Sequence, residues 1–475
     1  RNAFADYFGD VEYLQSNEPI SLAKYVLITP KARTLYFNKP AIPNVVSRVD
    51  EKGDDRVYQF TAKDIAPVLP EPNQPPYTEF LGHVHVSTYK SWDQMGTWYW
   101  GLVKDQFTAD DEVRKRVQEI TKGKKTDREK INAVYDYVVG KTRYVALEFG
   151  IHGFKPYKCA QIFARGFGDC KDKATLIVTM LKELNIPATI VIVRTGMRGD
   201  FEDSPASLAP FDHAIAYVPS IDHYLDGTAE YTGSDELPGM DRGALALQVN
   251  EGHPKLVHLP DPPATESVTT RTVEATLASD GSATMTYKAH VTGVTASSWR
   301  ARYHAEATRK QRLQEDLGSE YAGLEVQQAT ANDLEDVEIS PDVAVTAKVP
   351  AFARKDGGTL SVPTGPSSYL VREYAALSQR KLDVRLRAQS TSVTDHTIKL
   401  PAGSRVLTGP VATSGSTPFG SYAVTVLNAN GVVHVKTTVA IQKTRISVAE
   451  YPAFRAFCES ADRALGQRLV LSASK

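Results

Sequence analysis

Cys170 stands in the stretch "GFGDCKDKATL", between a Gly-Asp pair and a long apolar run. A cysteine attacks as the thiolate, and a helix N-terminus favours that form through unpaired N–H groups and the positive end of its dipole. Ala174, Ile177, Val178, Leu181 and Leu184 recur at helical spacing until Asn185-Ile186-Pro187, which predicts a helix with Cys170 in its first turn. Leu176 and Met180 on the other side predict burial nearly all round. Gly166 and Gly168 let the chain turn sharply into that helix, and Lys171 and Lys173 bring positive charge close to the thiol. Further along, His213 opens the strand-like run "HAIAYVP", and Asp226 closes "HYLDGT". A hairpin through "PSID" sets these two runs side by side and brings imidazole and carboxylate within reach of each other. The imidazole then takes the thiol proton and returns it to a leaving amine, while the carboxylate holds the ring and stabilises imidazolium, which is acyl transfer by a thiol. Taken singly, the same residues read as a small residue packed at a helix start, a hairpin histidine and a turn aspartate.

The elements that must position them follow from the pattern around them. In "SWDQMGTWYWGLV", Trp92, Met95, Tyr99 and Leu102 predict one helix face, and "TADDEV" predicts a second helix start. Thr126 and Glu129 have capping-box spacing; Ile131, Val134, Tyr135 and Val138 form the buried stripe that follows, and Gly140 is the expected stop. Asp169 and Asp172 are turn and first-turn acids, not catalysts. With "ATIVIVRTG" and the two runs bearing His213 and Asp226 as strands, the middle of the chain is helices followed by an antiparallel sheet, an α+β plan.

Residues 1–66 alternate short β-branched and aromatic runs with Pro, Asn, Gly and Asp, and the Pro-rich "APVLPEPNQPP" ends that module. After the second linker, "LPDPPAT", the chain reads as β again, with Asp280-Gly281 and Asn430-Gly431 at hairpin turns and one helical insertion near 294–319. The expected domains are an N-terminal β-sandwich-like domain over 1–90, a catalytic domain over 91–260, and a C-terminal β-rich domain over 264–475 with a terminal helix. In that helix Phe454, Phe457, Cys458 and Ala461 share one side, so Cys458 is a core residue.

Composition removes several function classes. Lys and Arg total 55 against 56 Asp and Glu, for a net charge of -1, so no overall field draws the protein to nucleic acid or to an anionic membrane. No apolar run reaches the ~18 residues of a membrane helix. Three cysteines exclude a disulfide framework, although one bond, for instance Cys159 with Cys458, is compatible with the sequence. His83 and His85 share a strand face, but no third ligand at a recognisable spacing joins them, so neither a metal nor another cofactor is expected.

The order "GDCKDKA", "FDHAIAYV", "YLDGT" resembles the core of bacterial transglutaminase-like proteins, relatives of cysteine peptidases. "YVALEFGIHGFKPYKCAQIFARGFGDCKDKATL" and "SWDQMGTWYWGL" are similar to the segments that precede and enter that core, and the β regions on either side resemble domains that flank it in a bacterial subgroup. The resemblance implies a papain/transglutaminase-like core between an N-terminal antiparallel β domain and a C-terminal β-rich domain. It implies Cys170 as nucleophile, His213 as general base and acid, and Asp226 as orienting carboxylate. An oxyanion hole would combine the Cys170 backbone N–H with an upstream donor, for which Tyr144 and Gln161 are the candidates. The substrate is then a protein or peptide carboxamide, with an amine or water as acyl acceptor. The alternative is a catalytically silent scaffold that binds proteins through its β domains. The family is often exported, and the chain starts at Arg instead of Met, so the periplasm or cell envelope is the expected location.

Overall fold

The computed structural model describes residues 4–42, 44–365 and 369–472. The chain divides into two compact units, one of Arg1–Pro70, Pro75–Glu230 and Leu237–Asp261, the other of Glu71–Gln74, Tyr231–Glu236 and Pro262–Lys475.

In the first unit the N-terminal runs form two small antiparallel sheets. One has the strands Ile20–Pro30, Asp55–Ile65 and Val46–Lys52, and the other has Gly9–Tyr13, His83–Ser87 and Tyr36–Phe37. Leu14, Ile42, Phe60, Ala62, Ile65 and Val84 make their shared core. Five helices follow: α1 (Trp92–Val103), α2 (Asp111–Ile120), α3 (Asp127–Lys141), α4 (Cys159–Arg165) and α5 (Cys170–Lys182). After them comes a five-stranded antiparallel sheet, in the spatial order His223–Leu225, His213–Val218, Thr189–Arg194, Leu245–Gln248, Lys255–His258. Helix α5 packs against α3, α4 and the two strands His213–Val218 and Thr189–Arg194, and every residue from Cys170 to Leu181 is buried.

The α3 capping box forms as its spacing predicts, with Ile131, Val134, Tyr135 and Val138 inward. Two local expectations are corrected. Helix α3 continues through Gly140 to Lys141, with Thr142 as its cap, because Gly140 lies on an exposed face where nothing forces a turn. The inward face of α1 is Met95, Gly96, Tyr99 and Val103. It is rotated from the expected Trp92 to Leu102 stripe because Gly96 sits where a side chain would collide with Pro254, 2.1 Å from an added Cβ.

The second unit is built on an eight-stranded sheet in the order Glu325–Ala331, Asp342–Val349, Ala283–Val291, Val268–Leu277, Ser390–Lys399, Val432–Ile441, Gly420–Ala429, Thr413–Thr417. Only the pairing of Val268–Leu277 with Ser390–Lys399 is parallel. Alternation works as predicted: Val273, Ala275, Leu277, Ala283, Met285, Tyr287 and Ala289 all face the core. Asn430 and Gly431 both take positive φ, at 54° and 75°, which the tight hairpin between Gly420–Ala429 and Val432–Ile441 requires. The expected helical insertion is two helices, Ala296–Tyr303 and Glu306–Gly318, and the terminal helix is Tyr451–Leu465 with Phe454, Phe457, Cys458 and Ala461 buried. All three cysteines are free and buried, so no bridge joins Cys159 to Cys458; burial pushes both of those thiols up to about 12.

Candidate active site

The start of α5 is fixed by the segments before it. Helix α4 ends in a left-handed Gly166, φ +65°, whose N–H donates to the Ile162 and Phe163 carbonyls. Phe167-Gly168 then pairs in parallel with Arg143-Tyr144, and the Val145 N–H donates to the Gly168 carbonyl at 2.9 Å. Gly168 has no room for a side chain: a Cβ there would lie 2.5 Å from the Asp172 Cβ. Asp169 is the N-cap, and with Asp172 it closes a capping box. Asp172 also accepts the Tyr157 N–H at 2.8 Å and pairs with Arg165, while Asp169 pairs with Lys171 at 2.6 Å. These two acids hold the helix start. Lys173 is buried with its ammonium on the Thr142 carbonyl at 2.7 Å, and burial lowers its pKa to about 8.

That framework presents Cys170 at the first helical position, 7% exposed and near enough to His213 to favour the charged imidazole. His213 begins its strand opposite Val193, and Ala216 pairs with Leu225 across the hairpin, closed by the turn Pro219–Ile221 and a left-handed Asp222. Asp226, one residue past the partner strand, thereby comes to the imidazole, with Nε2 3.2 Å from its Oδ2. This is a charge contact rather than an aligned hydrogen bond, since neither atom finds a partner of good hydrogen-bond geometry. The other Asp226 oxygen accepts both the N–H and the hydroxyl of Thr228, each at 2.8 Å. Burial opposes charge on His213, yet the Asp226 carboxylate and the contact with Cys170 raise its pKa well above that of an ordinary imidazole. Burial likewise opposes charge on Asp226, and His213 with the Thr228 donors lowers it below the usual carboxylate range. The arrangement favours the imidazolium that forms when His213 takes up a proton, beside Cys170 at a helix N-terminus.

A further buried acid stands beside His213 and Asp226 without any mark of it in the sequence pattern. Asp241 lies in the turn before the strand Leu245–Gln248, is 0% exposed, and brings a carboxylate oxygen within 4.8 Å of the His213 and Asp226 ligand atoms. Its spacing belongs to no motif, and burial of an aspartate inside "GMDRGAL" is a property of the fold alone. Among the described residues these three side chains are the group whose nitrogen and oxygens converge as a cation's ligands would. A cation coordinated there would occupy the same nitrogen and oxygens that a shared proton would, so the two are alternatives for this cluster.

Of the two oxyanion candidates, Tyr144 borders the site. It is held opposite Gly168, and its phenol is raised by burial and then by the nearby Cys170, Asp169, Glu148 and Asp226 charges. Gln161 is exposed on α4, whose buried side carries Cys159 and Ile162, and no hydrogen bond from its side chain to Cys170 is found among the described residues. Away from this site, Glu202 supplies the partner that sequence spacing did not offer to His83 and His85, at 3.0 and 3.4 Å.

Residues 114–219 match the model of the transglutaminase-like superfamily; residues 1–69 match the Domain of Unknown Function DUF3857, and residues 362–471 match DUF3858. The superfamily match contains Cys170 and His213 and stops short of Asp226. No curated protein matches the chain. Among solved structures, one described as a "putative protease" from Parabacteroides distasonis ATCC 8503 aligns over 98% of this chain and 75% of its own, with TM-score 0.66 and 14% identity. A "putative cysteine protease" from Cytophaga hutchinsonii covers 47% of this chain and 78% of its own at 13% identity, with a TM-score of 0.21 that bears no weight on the fold. The helices and strands that carry Cys170 and His213 thus form a transglutaminase-like domain, flanked in the chain by a DUF3857 and a DUF3858 region.

Proposed function

We propose that the protein performs thiol-dependent acyl transfer on protein or peptide carboxamides through Cys170, His213 and Asp226. The observation that carries this reading is the convergence on His213 of Cys170, at the N-terminus of a buried helix, and of Asp226, whose Oδ2 lies 3.2 Å from Nε2. The transglutaminase-like match supports a thiol-dependent enzyme.

His213 takes the Cys170 proton, and the thiolate adds to the carbonyl carbon of the carboxamide. The developing oxyanion meets the Cys170 backbone N–H, which has no intrahelical acceptor at the first helical position, and Tyr144, held opposite Gly168, is the candidate second donor. Imidazolium gives its proton to the nitrogen as the C–N bond breaks, leaving a thioester and free ammonia or amine. An acceptor amine or water then adds to the thioester, losing its proton to His213, and the sulfur departs. A lysine acceptor yields a crosslink, and water yields deamidation or proteolysis.

The test is intact mass after iodoacetamide, comparing the protein with Cys170→Ala. One adduct, formed at pH 6 where an ordinary thiol (~8.5) is almost wholly protonated and absent from the variant, is the expected result. Ammonia release from a glutamine peptide, with and without added amine, then separates the acceptors. A thiol that labels only in alkali would instead support the silent scaffold.

A further inference from the structure

Asp241 is the buried group that the acyl-transfer chemistry does not use. It is wholly inaccessible, and neither carboxylate oxygen has a hydrogen-bond partner. One of its oxygens lies within 4.8 Å of ligand atoms of His213 and Asp226. Asp226 spends Oδ1 on Thr228 and faces His213 with Oδ2, where the contact is off the hydrogen-bond axis. Two carboxylates at this range are both acceptors, so the pair has no donor between them unless one carries a proton. A single proton supplies it, and leaves the cluster with one anion opposite one imidazolium.

We infer that Asp241 is a positioning residue that carries this proton and donates it to Asp226, holding the carboxylate that orients His213. The inference rests on the triad reading above and goes beyond it by adding a group that touches neither substrate nor thiol. Burial comes first among the causes that hold Asp241 protonated, followed by the Asp226 charge, with His213 opposing and Asp212 adding to it. The other titratable groups around the pair are Cys170, which acts on His213, and Lys173 and Tyr144, which interact with Asp226. Lys173 is the one among them that is cationic when protonated, burial lowers its pKa to about 8, and its ammonium is already on the Thr142 carbonyl.

The substitutions that distinguish a proton donor from an anion are Asp241→Asn, which keeps a neutral N–H donor, and Asp241→Ala, which removes it. In the full chain, iodoacetamide labelling of Cys170 is followed from pH 5 to 9, with Cys170→Ala as background. The expected result at pH 6 is Asp241→Asn within about twofold of the parent and Asp241→Ala slowed about tenfold, the effect of one pKa unit. Equal slowing of both variants would mean that Asp241 acts as an anion, and no slowing of either would make it a bystander; both results overturn the inference. Should Asp241→Ala fail to fold, infrared difference spectra decide the matter: a protonated-carboxyl band at neutral pH must be present in the parent and lost in Asp241→Asn. That band needs no active thiol. Its presence in a protein whose Cys170 does not label would sink the acyl-transfer reading and leave the proton assignment standing, and its absence would overturn the assignment even if Cys170 labels.

Discussion

Burial withdraws water from His213, Asp226 and Asp241 together, so the charge on each is decided by the other two. Replacing Asp226 by Asn removes the anion that holds His213 charged. Cys170 labelling at pH 6 is expected to fall about tenfold or more, measured as the iodoacetamide rate, while labelling at pH 9 changes little. Unchanged labelling at pH 6 would show that Asp226 does not govern the imidazole. Stability follows the same groups, each with its own sign. His213, raised, contributes fully below ~6.5 and loses that contribution as pH rises through its folded value. Asp226, lowered, contributes above ~3.9 and loses it as pH falls through its folded value. Asp241, raised, contributes below ~3.9 and loses it as pH climbs. Thermal melts should therefore show Asp241→Asn gaining on the parent between pH 4 and pH 8, and a pH-independent difference would refute the raised Asp241. Cys170, His213 and Asp226 are legible in sequence because each stands at the start or end of a patterned run. Asp241 is not, because a polar turn discloses nothing about whether the fold closes over it.

At the scale of elements, two glycines beside the site have opposite requirements. Gly140 lies inside α3 with nothing within 4 Å of an added Cβ, so alanine there spares the backbone entropy that glycine loses in a helix. Gly140→Ala is expected to stabilise the protein by about 0.5–1 kcal/mol in denaturant melts. Gly168→Ala drives a methyl to within 2.5 Å of the Asp172 Cβ, whose carboxylate closes the α5 capping box. Overpacking of this kind costs about 1–3 kcal/mol, and Cys170 labelling should fall with it because the helix start carries the thiol. If Gly168→Ala melts like the parent and labels normally, the helix start is not held by this close approach. Expecting a helix stop at Gly140 fails for the same physical reason, since a glycine ends a helix only where the backbone needs a left-handed turn, as it does at Gly166. Capping boxes and hairpin turns are local, and they could be read directly. The strands Leu245–Gln248 and Lys255–His258 are four residues each; the first takes its place in the sheet by pairing with Thr189–Arg194 and the second by pairing with the first, contacts no local pattern announces.

For the whole molecule, the fold is shared with a solved structure over 98% of the chain at only 14% identity, so the architecture depends on pattern and packing more than on particular side chains. The exceptions are buried charges that tie distant segments into one unit. In the second unit Arg300, 1% exposed, donates to the Tyr231 and Ile339 carbonyls at 2.8 and 3.0 Å and lies 3.6 Å from Glu236. Arg380, 8% exposed, donates to the Pro72 carbonyl at 2.7 Å and pairs with Glu71 at 3.3 Å. Residues 71–74 and 231–236 are therefore structural parts of this unit although they are separated from 262–475 in sequence. A fragment cut at Pro262 would take the Tyr231 carbonyl and Glu236 from Arg300, and the Pro72 carbonyl and Glu71 from Arg380. Arg300 would keep the Ile339 carbonyl and Arg380 the Leu382 and Asp383 carbonyls, and breaking a buried ion pair costs about 3–5 kcal/mol. The fragment 262–475 should accordingly unfold at low denaturant, and Arg300→Leu with Arg380→Leu should stabilise it, because apolar side chains need no partner there. In the intact chain the same pair of substitutions removes satisfied hydrogen bonds and should not raise stability by a comparable amount. A fragment whose denaturant midpoint is unmoved by the two leucines would show that these arginines do not tie the separated segments into the unit.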